Sequence, residues 1–84
     1  MNPSNLIKYS VELTDTFGGD ANYSWVRRHD FLAPSNASNA LLMRRAKKLV
    51  GISGERGKTS SYGSMLLEFR PFGACVVMFI NTSH

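Results

Sequence analysis

The sequence predicts an α+β fold of order ββαββ, in which four short strands form a mainly antiparallel sheet and one amphipathic helix packs on a face. Two observations support this prediction. Alternating apolar and polar residues, the pattern of half-buried strands, occur towards both ends of the chain. One stretch between them has helical periodicity. With 84 residues, of which 43% are hydrophobic, the chain is expected to form a single domain, residues 1–84.

The first third of the chain predicts a β-hairpin. Residues 6–14 alternate and place Ile7, Tyr9, Val11 and Leu13 on one face. Residues 15–22 contain two adjacent glycines among Asp and Asn residues, a composition that breaks a strand. The aromatic and β-branched segment Tyr23–Phe31 is expected to be the returning strand. Its pattern leaves open whether Trp25 fills the core or lies at a surface.

The middle of the chain predicts the helix, which ends near Val50. Ser35 or Ser38 can cap its N-terminus, and Gly51 stands where a left-handed residue commonly follows a helix. A helical wheel separates an apolar stripe from a basic side. The stripe consists of Leu42, Met43, Ala46, Leu49 and Val50, and the basic side consists of Arg44, Arg45, Lys47 and Lys48.

The last third predicts a loop followed by two strands. Residues 52–63 contain three glycines among polar and basic residues, which indicates a loop. Residues 65–70 alternate again, and residues 71–73 form a turn. The apolar run 75–80 is typical of a central strand covered on both faces, so Cys75 is expected to be a buried structural residue. The tail, residues 81–84, is expected to fray.

Composition predicts a cytoplasmic protein without cofactors. The single cysteine allows no disulfide within the chain. The N-terminus lacks the basic start and apolar stretch of a signal peptide, and no apolar run is long enough to span a membrane. These features favour a reducing compartment.

No set of residues predicts catalysis or metal binding. Gly57-Lys58-Thr59 matches the end of a P-loop, but Ile52 stands where the motif needs its first glycine, and a helix precedes where a strand is required. His29 and Asp30 are neighbours on a strand and therefore point to opposite faces. Residues 15–20 lack the ligand spacing of a calcium loop. The sequence thus predicts a protein that binds rather than an enzyme.

The strongest functional signal is the clustering of positive charge. Residues 44–58 carry six basic residues against the single acid Glu55, in a chain whose net charge is +4. A basic pole attracts an anionic partner. Trp25 beside two arginines can stack on bases or anchor a protein interface. The predicted binding residues are Trp25, Arg27, Arg28, Arg44, Arg45, Lys47, Lys48, Arg56, Lys58 and Tyr62. An ordinary solvated helix face is the alternative for the helical members.

In size and organisation the chain resembles small accessory proteins of bacteriophages and prophages, in particular anti-CRISPR proteins. The stretches that carry the resemblance are Tyr9–Asp20 and Arg44–Gly51. Many anti-CRISPR proteins are acidic, and this chain departs from them in being basic. The resemblance implies a non-enzymatic inhibitor in the bacterial cytoplasm that binds a host defence ribonucleoprotein, or another nucleic-acid-handling complex, with contact to RNA or DNA.

Two other functions remain open from the sequence. A free-standing DNA- or RNA-binding domain would use the same basic residues, although no helix-turn-helix and no RNA-recognition motif is visible. A binder of small phosphorylated ligands would instead use the Gly51–Gly63 loop, where backbone N–H groups, Arg56 and Lys58 can hold a phosphate. The pattern specifies neither the partner nor the oligomeric state.

Overall fold

The computed structural model describes residues 5–62 and 66–82, whose elements follow the order ββαβββ. The elements are β1 (Leu6–Phe17), β2 (Asp20–Pro34), α1 (Asn39–Leu49), β3 (Gly57–Tyr62), β4 (Leu66–Pro71) and β5 (Val76–Thr82). The strands form one antiparallel sheet in the order β2-β1-β5-β4-β3. Strands β2 and β3 therefore form the two edges, and β5 is central, as predicted.

The predicted four-stranded ββαββ arrangement is wrong, although the broader α+β class is confirmed. The segment predicted as a loop, residues 52–63, contains strand β3, which pairs with β4 from Gly57↔Pro71 to Tyr62↔Leu66. At the edge of a sheet, β3 forms ladder hydrogen bonds without contributing a row of apolar side chains. Its sequence, Gly-Lys-Thr-Ser-Ser-Tyr, therefore carries no apolar alternation that could reveal it.

The structure also extends the predicted hairpin and relocates the cysteine. Strands β1 and β2 meet at a two-residue turn, Gly18–Gly19, whose φ angles of 61° and 87° favour glycine. Cys75 is exposed rather than buried, because it lies in the turn before β5 begins. Strand β5 continues to Thr82, so Asn81 and Thr82 of the segment expected to fray are paired with β1, and residues 83 and 84 lie outside the described residues. Gly63 and Met65 lie outside the described residues.

The core fills the space between α1 and one face of the sheet, here called the helix face. The buried apolar side chains of this core are Tyr9, Val11, Leu13, Ala33, Leu42, Ala46, Val50, Leu67, Phe69, Met78 and Ile80. Burial of this apolar surface is the main force that holds α1 on the sheet. The opposite side of the sheet, here called the open face, carries the alternate residues of each strand.

The helix itself closely follows its prediction. Ser38 is the N-cap and accepts a hydrogen bond of 3.1 Å from the backbone N–H of Leu41, and Gly51 follows the C-terminus with a φ of 83°. Every fourth residue from Leu42 is buried, as the apolar stripe requires. Leu49 is the exception: it is 40% exposed, because it lies on the flank of α1 that faces β2 rather than the sheet below.

Candidate docking surface

The structure does not bring the ten predicted binding residues together on one surface. Arg28 pairs with Glu12 in the β1–β2 ladder, Lys58 with Arg70 and Tyr62 with Leu66, and these register positions lie on the open face. The basic residues of α1 lie on the other side of the sheet. Arg27 joins them, whereas Arg56 is exposed just before β3. The candidate surface on the helix side is therefore smaller than the sequence suggests.

All three ion pairs among the described residues lie on the open face. Their N–O distances are 3.5 Å for Lys8–Asp30, 2.8 Å for Arg28–Glu12 and 2.8 Å for Arg70–Glu68. These pairs occupy half of the six acidic residues of the chain. No carboxylate of residues 5–62 or 66–82 forms an ion pair with a basic side chain of α1. No ion pair within the described residues therefore neutralises the positive charge of the helix.

Two of the four basic side chains of α1 also hold the fold together. Lys47 donates a 2.6 Å hydrogen bond to the backbone carbonyl of Glu55, and its ammonium lies 4.4 Å from the ring centroid of Phe69. Arg45 donates a 2.8 Å hydrogen bond to the carbonyl of Leu32. Lys47 is half-buried and is thus a structural residue. The three exposed members, Arg44, Arg45 and Lys48, form what we call the basic helix surface.

Arg27 links β2 to the end of the helix. Its Nη1 donates a 3.1 Å hydrogen bond to the carbonyl of Val50, the C-cap residue, where a positive charge complements the helix dipole. The same guanidinium lies 5.7 Å from the ring centroid of Trp25. Trp25 is 42% exposed, so it is only partly covered by the fold. The predicted cluster of one aromatic and two arginines is thus divided, with Arg28 on the open face.

Asp15 holds the backbone that presents Trp25, a role that sequence reasoning did not identify. The β1–β2 register passes from Thr14↔Val26 to Thr16↔Ala21, so Asp15 alone faces the four-residue bulge 22–25. Its carboxylate accepts hydrogen bonds from the Ser24 hydroxyl at 2.6 Å, the Ser24 backbone N–H at 2.9 Å and the Asn22 side chain at 2.9 Å. These hydrogen bonds, led by that of the Ser24 hydroxyl, hold the pKa of Asp15 well below its usual range.

Replacing Asp15 with asparagine is expected to destabilise the bulge at neutral pH. The folded-state pKa of Asp15 is lowered, so its stabilisation is complete above the ordinary carboxyl pKa of about 4 and is lost as the pH falls below it. Urea unfolding followed by the fluorescence of Trp25, the one tryptophan, should therefore show a stability gap between wild type and Asp15→Asn that closes in acid.

Asp30→Asn provides the matched control for this experiment. The pKa of Asp30 is also lowered, mainly by the Ser10 hydroxyl and further by Lys8, but Asp30 lies outside the bulge. Its loss should leave the native fluorescence of Trp25 unchanged. A native Trp25 spectrum in Asp15→Asn that equals the wild-type spectrum at every pH would contradict the role assigned to Asp15.

A shallow groove lies between the flank of α1 and edge strand β2. It encloses about 490 Å³ and is lined by Phe31, Arg45, Lys48 and Leu49, and we call it the edge groove. Its floor is fixed because the ring of Phe31 stacks on that of Tyr9 with centroids 5.6 Å apart. The sequence did not predict this groove, since Leu49 was assigned to the core. The groove places two cations beside two apolar side chains.

A second groove, of about 360 Å³, crosses the open face, but its polar groups bond one another. Glu12 accepts the 2.8 Å hydrogen bond of Arg28, and a hydrogen bond from the Tyr23 hydroxyl to Glu12 raises the pKa of Tyr23. Phe79 and Leu66 complete the lining. The charges of this groove are thus compensated within the chain, in contrast to those of the basic helix surface.

The glycine-rich segment forms a strand and not an extended phosphate-binding loop. A Cβ atom on Gly57 would lie 2.1 Å from the carbonyl oxygen of Arg70, so the close approach of β4 requires this glycine. Lys58 and Tyr62 belong to β3, and residues 51–56 form the remaining connection after α1.

The histidine and cysteine considered for nucleophilic catalysis lie apart. His29 pairs with Val11, which pairs in turn with Ile80, so Cys75 is two strands away and about 15 Å further along the sheet. Among the residues the structure describes, no group of three or more His, Cys, Asp or Glu side chains is placed to hold a metal ion. No helix of the described segments has the length and apolar character needed to cross a lipid bilayer.

No protein-family model matches the chain, and neither a curated protein nor a solved structure shows significant similarity to it.

Proposed function

We propose that this protein is a non-catalytic binding protein that docks on a nucleic-acid-handling complex through its helix side and blocks it, in the manner of a phage-encoded inhibitor of bacterial defence. The observation that carries the proposal is the segregation of charge. Ion pairs neutralise every basic side chain of the open face except Lys58, whereas Arg44, Arg45 and Lys48 all face solvent without a carboxylate partner among the described residues. Such a surface attracts and orients an anionic partner.

Two features favour a protein surface of that complex over its bare nucleic acid. The exposed cations on the helix side are few, and each phosphate that is neutralised adds only a limited increment of affinity. The edge groove also combines Arg45 and Lys48 with the apolar Leu49 and Phe31. Apolar and aromatic anchors surrounded by charge are typical of protein interfaces. The exposed ring of Trp25 lies 5.7 Å from the guanidinium of Arg27, which itself bonds the C-cap of α1.

A free-standing nucleic-acid-binding domain is the second candidate, favoured by the contact between Arg27 and the exposed ring of Trp25. An aromatic ring and a guanidinium together can stack on unpaired bases. In this case the protein would bind naked single-stranded RNA or DNA without a protein component.

Titration of the purified protein against labelled RNA, single-stranded DNA and duplex DNA over a salt series separates the two candidates. We expect weak binding near physiological salt, and a slope of log K against log salt of about −4 or shallower, because the helix side offers only four exposed cations, which are Arg27, Arg44, Arg45 and Lys48. Submicromolar binding with a much steeper slope would assign the surface to nucleic acid. The docking proposal further requires that the protein retains a nucleic-acid-handling complex from bacterial lysate after nuclease treatment. Loss of that complex with nuclease would contradict it.

A further inference from the structure

We infer that the partner contributes an extended acidic segment, which adds to the outer edge of β2 as a further strand and lies against the edge groove. This inference rests on the proposed function and names the chemistry of the partner's contact. Strand addition supplies main-chain hydrogen bonds, while alternate side chains of the added segment select for sequence.

The outer edge of β2 offers backbone groups to such a strand. Arg45 reaches from α1 to the carbonyl of Leu32, which places this carbonyl on the outer side of the sheet. Successive residues of a strand direct their N–H and C=O groups to opposite sides, so residues two positions apart direct them to the same side. The backbone groups of Asp30 and Arg28 therefore point outward, as those of Leu32 do. The contact of Arg45 is the one side-chain hydrogen bond to a backbone group of residues 26–32 within the described chain.

Both ends of this edge are protected, and between them the carbonyl of Leu32 is the one backbone group that a described side chain covers. The bulge at residues 22–25 interrupts β2 at one end, and Pro34, which lacks an N–H, closes it at the other. Bulges and prolines are the devices by which edge strands avoid unwanted pairing. Residues 26–32 lie between them on a sheet edge that pairs only with β1. This length is that of an ordinary strand.

The charge beside the edge specifies the occupant. Arg27, Arg45 and Lys48 lie on the helix side of β2, and none of them forms an ion pair with a described residue. On the open face the same stretch presents the apolar side chains of Val26, which is 39% exposed, and Leu32, which is 55% exposed. Between them lie Arg28 and Asp30, whose charges are already paired with residues of β1. A strand with acids facing the helix side and apolar residues facing the open face complements both rows.

The inference is tested with a labelled peptide of about eight residues in which Glu and Val alternate, matched to a peptide in which Lys replaces Glu. We expect the acidic peptide to bind and the basic peptide not to bind. Arg45→Glu with Lys48→Glu should weaken the binding at least about tenfold. The pair Arg56→Glu with Lys58→Glu, which changes the net charge equally, should leave it within about twofold.

Methylation of peptide nitrogens tests the strand pairing itself. In an added strand, only alternate N–H groups face β2. Methylating one alternate set should therefore abolish binding of the acidic peptide, whereas methylating the other set should spare it. Equal affinity of the two methylated peptides would overturn the inference, because acidic side chains would then be recognised without a strand.

Two further results would also overturn it. One is failure of the acidic peptide to bind, and the other is binding that a short RNA displaces more effectively than the peptide itself. The proposed function is tested separately, by retention of a nucleic-acid-handling complex from nuclease-treated lysate, and neither of these results changes that outcome. Failure of this inference and failure of the proposed function are therefore distinguishable. Thermal unfolding of each variant confirms that lost binding does not reflect lost folding.

Discussion

Replacing Gly57 with alanine is expected to disrupt the pairing of β3 with β4 and to lower the free energy of unfolding by at least about 2 kcal/mol. The added Cβ would lie 2.1 Å from the carbonyl oxygen of Arg70 and 2.7 Å from the Cα of Pro71. Both are backbone atoms of the neighbouring strand, so they can move away only if the ladder opens. The cause is the spacing between strands and not a left-handed φ, which Gly57 does not have.

Gly73→Ala is the matched control, and urea denaturation measures both variants. Gly73 lies in the β4–β5 turn, where the nearest atom to an added Cβ, a side-chain oxygen of Glu55, is 3.9 Å away. Its replacement is expected to change the stability by less than about 1 kcal/mol. Equal stabilities of the two variants would show that β3 does not pair with β4 with Gly57 opposite Pro71.

Patterns in the sequence predicted the helix and the strands whose side chains pack in the core, and they missed β3, which contributes no side chain to the core. Strand β1 alternates because its odd-numbered residues lie beneath α1, and the caps of α1 follow from Ser38 and Gly51. Strand β3 is held by backbone pairing at an edge, which side-chain periodicity does not record. On a helical wheel Leu49 falls at the margin of the apolar stripe of α1. Whether a residue at that margin is buried depends on how far β2 extends beside the helix, and Leu49 is in fact exposed.

The sequence showed where positive charge is concentrated but not which charges are available to a partner. Lys47 is equivalent to its neighbours in the sequence, yet it is half-buried and donates a hydrogen bond to the backbone carbonyl of Glu55. Lys58 lies close to the helix in sequence, but the pairing of β3 places it on the open face. Asp15 carried no signal, because its four-residue bulge exists only once the β1–β2 register is set.

Reversing the charge of the basic helix surface is the second substitution with a large expected effect. Arg44 and Lys48 are one helical turn apart, are exposed, and hold no ion pair or hydrogen bond among the described residues, so their replacement should leave the fold intact. Arg44→Glu with Lys48→Glu places two negative charges where an anionic partner docks. Like charges across an interface oppose association strongly.

The most direct test of the docking proposal compares this double variant with Arg56→Glu combined with Lys58→Glu. Both variants change the net charge by the same amount, so they differ only in the surface they alter. The measurement is the amount of nucleic-acid-handling complex that each variant retains from nuclease-treated lysate. We predict at least about a tenfold loss for the helix pair and a loss of less than about twofold for the other pair. Equal losses, or a larger loss for Arg56 and Lys58, would contradict docking through the basic helix surface.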